Sequence, residues 1–463
     1  MTSAQSAVGG APRRSADADV PRRKLFGTDG VRGVAGEQLT ADLALGLGRA
    51  ATTVARDRGA AQPRVLVIRD TRESGEMLEA ALAAGVAAAG GEVLLGGVLP
   101  TPAAPLLLRR YEFDLAAVLS ASHNPYEDNG IKFFGADGFK LSDATELEIE
   151  RRLEEPAPGG TAIGRIRALH GTQEDYLRAL HERYADLDLS GVDVVLDCAN
   201  GATHRVAPEI FRRLGATVTV IGDTPDGRNI NAGCGSTHID ALTERVTGGG
   251  HDLGFAFDGD GDRVLAVDRN GVVVDGDELI ALAALHLRGA GRLAGDGVAV
   301  TVMTNYGFHA AMEAAGIEVA STQVGDRYVL EALRERGWVL GGEQSGHIIE
   351  LSFAPSGDGI ASALLTLEAL AGDDLARRDA MHRLPQRLVN VRVADRDAAM
   401  DAPELAAASA EEGEALSGRG RVLVRPSGTE PLVRVMVEAP TAEEADEICA
   451  RLVAVVERVS PAG

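Results

Sequence analysis

Only three cysteines occur in this chain, Cys198, Cys234 and Cys449. They are scattered, with no spacing suited to a metal site, and an odd, sparse set fits a reducing cytoplasm rather than a disulfide framework. No apolar run is continuous enough to span a bilayer. Residues 1–22 are rich in Ala, Ser and Arg, carry acids at Asp17 and Asp19, and lack an apolar segment; they read as a disordered tail, not a signal peptide. Positive charge is short, with 46 Lys and Arg against 69 Asp and Glu and a net charge of −23. That balance argues against nucleic acid and anionic membrane as partners, and a phosphorylated ligand would need a locally basic pocket. Lysine is scarcest among the cations: Lys24, Lys132 and Lys140 are the only ones. Where arginine is the default, a retained lysine hints at a requirement, and two of the three flank one short loop.

What is present is ordinary for a globular protein, 45% hydrophobic and 25% charged. A length of 463 residues exceeds one core and predicts three or four domains. Buried-strand patterns at 64–68, 92–95 and 115–119 alternate with a helix that Ser74 can cap. The alternation recurs from 192 to 257 and again from about Glu278 to Val319. From Arg387 it changes to strand, acidic helix, two strands at 421–424 and 432–438, and a helix at 441–459. The expected fold class is α/β: three similar mixed-sheet domains at 23–165, 166–270 and 271–385, then a smaller α+β domain at 386–463, around a central cleft. The segment 156–164 is a plausible connector. Ligands of open α/β sheets bind beyond the carboxyl ends of strands, where each unit here carries a polar, Gly-containing loop.

The densest of these loops is Asp258-Gly259-Asp260-Gly261-Asp262-Arg263, which follows the strand-like run 252–257. Three acids this close repel, and a divalent cation would remove the conflict. Oxygen-only ligands indicate Mg²⁺ before Ca²⁺ and well before Zn²⁺. A calcium loop of the EF-hand type fails on position, since its sixth residue would be Arg263 and its twelfth Arg269. A solvated turn remains the bland alternative.

Four other loops carry chemistry-bearing residues. Ser122, in Ser120-Ala121-Ser122-His123-Asn124-Pro125, stands where a nucleophile would be displayed, although most serines at strand ends are caps or turn residues. A phosphoserine there would bring a charge of about −1.5 to −2 and an oxygen able to complete the aspartate site. Lys132 lies just downstream and can neutralise phosphate or shuttle a proton. Phe26-Gly27-Thr28-Asp29-Gly30-Val31-Arg32-Gly33 reads as a Gly-rich turn presenting Arg32, and Arg263 is a second phosphate clamp or else a salt-bridge partner. In Gly341-Gly342-Glu343-Gln344-Ser345-Gly346-His347, Glu343 and Ser345 suit recognition of sugar hydroxyls and His347 suits proton exchange. Arg425-Pro426-Ser427-Gly428-Thr429-Glu430-Pro431 joins two strands and forms an anion nest or a plain turn.

Taken in order, these motifs resemble the α-D-phosphohexomutase family, from about Arg23 to Val459. The opening 26–33, the continuation Ser122 to Phe134 and Val324-Gly325-Asp326-Arg327-Tyr328 are most similar to its bacterial branch acting on glucosamine phosphate. The resemblance implies that Ser122 is carried as phosphoserine and joins Asp258, Asp260 and Asp262 around one Mg²⁺. It implies that Glu343, Ser345 and Arg327 bind the sugar phosphate, and that Arg425, Ser427, Gly428 and Thr429 grip its non-reacting phosphate. Arg32, Lys132, Arg263 and His347 would serve charge and proton transfer, with Lys132 or His347 favoured for the proton because a guanidinium does not readily give one up. The implied reaction is glucosamine 6-phosphate to glucosamine 1-phosphate through a hexose 1,6-bisphosphate, feeding UDP-N-acetylglucosamine and cell-wall synthesis. The alternatives are the same chemistry on mannose or glucose phosphates, or a phosphoserine-dependent sugar phosphatase. A cytoplasmic monomer or homodimer is expected.

Overall fold

Strands of near-continuous Val, Leu and Ala, buried on both faces, organise the first three sheets, as expected for strands covered by helices on either side. The computed structural model describes residues 23–27, 29–155, 163–427 and 430–461. The tail 1–22 and most of the expected connector lie outside the described residues. The first sheet has seven strands in the order Phe26–Gly27, Gly30–Val34, Asp128–Gly135, Leu115–Leu119, Arg64–Arg69, Glu92–Val98 and Ile166–Ala168. The second has five, with Leu253–Phe257 parallel to Asp193–Asp197 and antiparallel to Val264–Asp268. The third has four, with Leu340–Gly342 parallel to Gly297–Thr301 and antiparallel to Ile348–Glu350. The last is a three-stranded antiparallel sheet of Gln386–Arg392, Leu432–Glu438 and Arg421–Pro426.

One device repeats through the first three sheets. A buried strand turns back at its carboxyl end into an antiparallel partner: Leu115–Leu119 into Asp128–Gly135, Leu253–Phe257 into Val264–Asp268, and Leu340–Gly342 into Ile348–Glu350. The three connecting loops are the serine, aspartate and Glu343–His347 motifs. The domains are therefore alike where it positions chemistry. One hydrophobic core runs through all three, including Leu66 and Phe134 of the first, Phe211 and Phe255 of the second, and Phe308 and Leu340 of the third. The C-terminal domain has its own core around Val433, Val435 and Leu452. It meets the third domain through polar contacts such as Arg421 Nη2 to Thr304 O at 2.6 Å and Tyr306 N to Glu438 Oε2 at 2.7 Å.

Three local expectations are corrected. Arg32 lies within the strand Gly30–Val34, opposite Gly130, because an antiparallel neighbour takes up the Gly-rich segment that reads alone as a turn. Ser74 begins the helix Ser74–Ala88 instead of capping it, and its hydroxyl accepts from Asn129 Nδ2 at 2.9 Å. The first sheet takes its edge strand from Ile166–Ala168, just past the expected boundary at 165, since this strand pairs parallel with Glu92–Val98. Among the described residues no helix is long and apolar enough to cross a membrane.

The second and third domains are joined by buried charge. Arg183 donates Nε to Glu350 Oε1 at 3.0 Å and Nη2 to Glu368 Oε2 at 3.2 Å. Glu350 is 7% exposed, so removing its main partner leaves a buried carboxylate with only the partly exposed Arg292 at 3.4 Å and the neutral Ser352 hydroxyl at 3.1 Å beside it. Arg183→Ala should cost about 3 kcal/mol, the low end for breaking a buried pair. Urea unfolding followed by the fluorescence of the single tryptophan, Trp338, measures it.

Candidate active site

The serine and aspartate hairpins face each other across the first two domains. Ser122 is 1% exposed and has φ +52°, a left-handed backbone that side chains other than glycine seldom adopt. Its Oγ donates to Asp258 Oδ2 at 2.5 Å and lies 3.3 Å from His123 Nδ1. Gly259 permits the approach, because a Cβ there would stand 2.6 Å from the Ser122 carbonyl oxygen. Asp258, Asp260 and Asp262 are all buried, and one ligand oxygen from each falls within 4.8 Å of the others.

Burial raises the Asp258 pKa well above the ordinary carboxylate value, with the Asp262 and Asp260 charges adding to it. Asp262 moves the other way: burial works against its charge, but His347, Lys132 and Arg263 hold it ionised. Asp260 Oδ2 is well served, by Lys132 Nζ at 2.9 Å and Thr101 Oγ1 at 2.6 Å. Asp260 Oδ1 and Asp262 Oδ1 are buried with no hydrogen-bond partner. Native proteins rarely leave such oxygens orphaned. Three converging carboxylates with two unclaimed oxygens fit a hard divalent cation.

Cations ring this cluster. Lys132 is 1% exposed and lies 2.9 Å from both Asp260 and Asp29. Burial works against its charge, yet Asp260, Asp29 and Asp262 together raise its pKa above the ordinary lysine value. Of the two roles read from the sequence, this pairing favours charge neutralisation. Arg32 pairs with Asp29 and keeps a buried Nε without a hydrogen bond. Arg263 donates its backbone N–H to Asp258 Oδ1 at 3.1 Å, and its Nε lies 3.8 Å from Asp262.

The third hairpin closes the far side. His347 Nδ1 is 3.6 Å from Asp262 Oδ2, and its Nε2 is 3.7 Å from Asp326 Oδ2. Burial lowers the affinity of the ring for a proton, but Asp262, Asp326 and Glu343 outweigh it and the pKa is raised. The Gly357 N–H points at Nε2 from 3.1 Å, which suits the neutral ring with its proton on Nδ1. His347 can thus hold or release a proton beside the aspartates. Glu343 Oε1 accepts from Gly325 N at 3.0 Å, and Ser345 is exposed. Gly346, at φ +88°, is required because a Cβ would stand 2.0 Å from Val264 O, where this loop packs on the second domain.

Two motifs are not brought against the aspartates by the contacts described. Arg327 pairs with Asp143 and lies 3.5 Å from Glu331, so its charge is engaged between the first and third domains. Arg425 stands opposite Arg434 in the C-terminal sheet. Burial and the Arg434 charge both lower its pKa, which favours an anion there. Ser427 is 2% exposed and its Oγ accepts from Glu430 N at 3.3 Å, while Gly428 and Thr429 lie outside the described residues.

Several residues escaped sequence reasoning. Thr101, set between Pro100 and Pro102, donates to Asp260. Asp29 joins Lys132, Arg32 and Lys140, and Lys140 reaches on to Asp326 at 2.7 Å. The scarcity of lysine was the one available signal for Lys140.

The chain matches four domain profiles described as phosphoglucomutase/phosphomannomutase: alpha/beta/alpha domain I over residues 23–158, domain II over 174–271, domain III over 275–388, and the C-terminal domain over 388–455. It is 53% identical over 439 residues to the phosphoglucosamine mutase of Moorella thermoacetica, covering 93% of this chain and 98% of that one. It is 48% identical over 442 residues to the phosphoglucosamine mutase of Bacillus subtilis, covering 94% and 98%. Among solved structures, a phosphoglucomutase/phosphomannomutase family protein from Burkholderia thailandensis superposes with a TM-score of 0.81 at 25% identity, covering 94% of this chain and 97% of that one. The N-acetylphosphoglucosamine mutase of Aspergillus fumigatus, solved with GlcNAc-6P and magnesium, shares the fold with a TM-score of 0.69 at 19% identity, covering 95% and 96%.

Proposed function

The chain belongs to the α-D-phosphohexomutase family, the phosphoglucomutase/phosphomannomutase family of the domain matches, and from that premise we propose that it interconverts glucosamine 6-phosphate and glucosamine 1-phosphate. The observation that carries the chemistry is the Ser122 hydroxyl held 2.5 Å from Asp258 at the mouth of a three-aspartate cluster. In the reaction, the phosphoryl group of phosphoserine 122 passes to the sugar O1. The P–Oγ bond breaks as the P–O1 bond forms, and the O1 proton goes to neutral His347. The resulting 1,6-bisphosphate reorients, the Ser122 Oγ takes the phosphoryl group from O6, and the proton returns to O6.

Phosphoryl transfer asks chiefly for in-line positioning and charge stabilisation. Lys132, Arg32 and Arg263 supply fixed positive charge. A Mg²⁺ held by Asp258, Asp260, Asp262 and an oxygen on Ser122 would supply Lewis-acid charge to the transferring group. Glu343 and Ser345 bind the sugar hydroxyls, and Arg327 assists once released from Asp143. Arg425, Ser427, Gly428 and Thr429 grip the phosphate that is not reacting. Closure of the C-terminal domain, with its separate core, excludes water that would turn transfer into hydrolysis. The same reading places the enzyme in the cytoplasm, where its three buried thiols stay reduced.

The deciding assay compares kcat/KM for glucosamine 6-phosphate with that for the mannose and glucose phosphates. A preference of at least about tenfold for the amino sugar, equivalent to about 1.4 kcal/mol of transition-state binding, is expected. A higher value for mannose or glucose phosphate overturns the substrate, and inorganic phosphate without isomerised sugar overturns the reaction.

A further inference from the structure

Arg72 is wholly buried in the turn between the strand Arg64–Arg69 and the helix Ser74–Ala88. Each of its five donor N–H groups has a partner. Nε donates to Asp70 Oδ2 at 2.9 Å. Nη2 donates to the carbonyls of Ser122 and Asn124, both at 2.9 Å. Nη1 donates to the carbonyls of Pro125 and, at 3.0 Å, Asp128. A guanidinium forks in a plane and can serve several carbonyls at once, as an ammonium cannot.

Asp70 closes the arrangement. Its Oδ1 accepts the Arg72 backbone N–H at 2.9 Å, and its Oδ2 accepts the Ser120 hydroxyl at 2.6 Å. Ser120 Oγ in turn accepts the N–H of Ser122 at 2.9 Å. Both polar groups of the Ser122 backbone therefore hang on one buried ion pair, the carbonyl directly and the N–H through Ser120. From the second domain, Asn231 donates Nδ2 to the same two carbonyls, Ser122 and Asn124, each at 3.0 Å. Asn231 is itself left-handed, with φ +58°. Together with the turn bond from Asn124 N to Ala121 O at 3.1 Å, these contacts hold Ser122 in a conformation that serine disfavours.

We propose that Arg72 and Asn231 are positioning residues for phosphoryl transfer, clamping the Ser122 backbone from two domains so that its Oγ stays aimed at the aspartates. The proposal rests on Ser122 carrying the transferred phosphoryl group. An ångström of drift at a reacting atom can cost about 10²-fold in rate.

Arg72→Lys keeps the charge beside Asp70 but cannot fork to four carbonyls, and Asn231→Ala removes the second clamp alone. For Arg72→Lys kcat should fall about 100-fold, and for Asn231→Ala about tenfold, with KM within about twofold of the parent in each. Inorganic phosphate released per sugar isomerised should rise, because a misaimed phosphoserine meets water. A merely structural role would lower the folded fraction and leave that ratio at its parental value. Ser122→Ala runs beside them. If it isomerises sugar, the reading of Ser122 falls first. If it is inert while both clamp variants keep parental kcat and parental phosphate release, the positioning role is overturned. Should Arg72→Lys not fold, Asn231→Ala decides by the same two readouts.

Discussion

Ser122→Ala should lower isomerisation by at least about 10⁴-fold, the scale seen when a covalent nucleophile is removed. Among the described residues, the two other hydroxyls that bond to this network are already engaged. The Ser120 hydroxyl is committed to Asp70 at 2.6 Å, and Thr101 to Asp260 at 2.6 Å. The fold should survive. Alanine meets the same left-handed backbone as serine at φ +52°, and the Ser122 N–H and C=O keep their partners. Losing one hydrogen bond to Asp258 should change stability by about 1 kcal/mol. A coupled assay with a thermal melt separates the two effects. Mass spectrometry of active parent protein adds an independent check: phosphate found at another residue, with Ser122 never modified, would end the covalent scheme.

Removing the divalent cation should have the next largest effect, about 10³-fold in turnover, since a bound ion supplies several kcal/mol of transition-state charge stabilisation. Chelation followed by Mg²⁺ should restore the rate. The electrostatics of the cluster add a second readout. In the absence of a cation, burial and the neighbouring aspartates raise the Asp258 pKa above its unfolded value. A group raised in this way favours the folded state least when ionised, so its own contribution to stability falls as pH rises above about 4. The ion relieves that conflict, and the rise in melting temperature on adding Mg²⁺ should be larger at about pH 8 than at about pH 5. Full turnover in protein verified to be metal-free would contradict the assignment of the three aspartates.

Legibility in the sequence followed physical locality. Strands such as Leu115–Leu119 and Leu253–Phe257 are continuous apolar runs, and the loops after them concentrate Gly, Ser and Asp. Both signals are carried within a few residues, so Ser122 and the three aspartates could be singled out with no knowledge of their neighbours. The roles of Arg32, Ser74 and Lys132 could not. Arg32 becomes a strand residue only because Asp128–Gly135 pairs with it. Ser74 takes its partner from Asn129. The charged partners of Lys132, Asp29 and Asp260, reach it only through space.

The order of motifs thus determined, by itself, that this chain has an acidic loop suited to a cation following one strand and a displayed serine following another. Tertiary structure alone decided that the two meet, that Asp29, Lys140 and Asp326 link the first domain to the third, and that Arg72 and Asn231 hold the serine. The reason is that composition and periodicity act over one element, whereas a hydrogen-bond partner 50 or 109 residues away is chosen by which strand ends the sheets bring side by side.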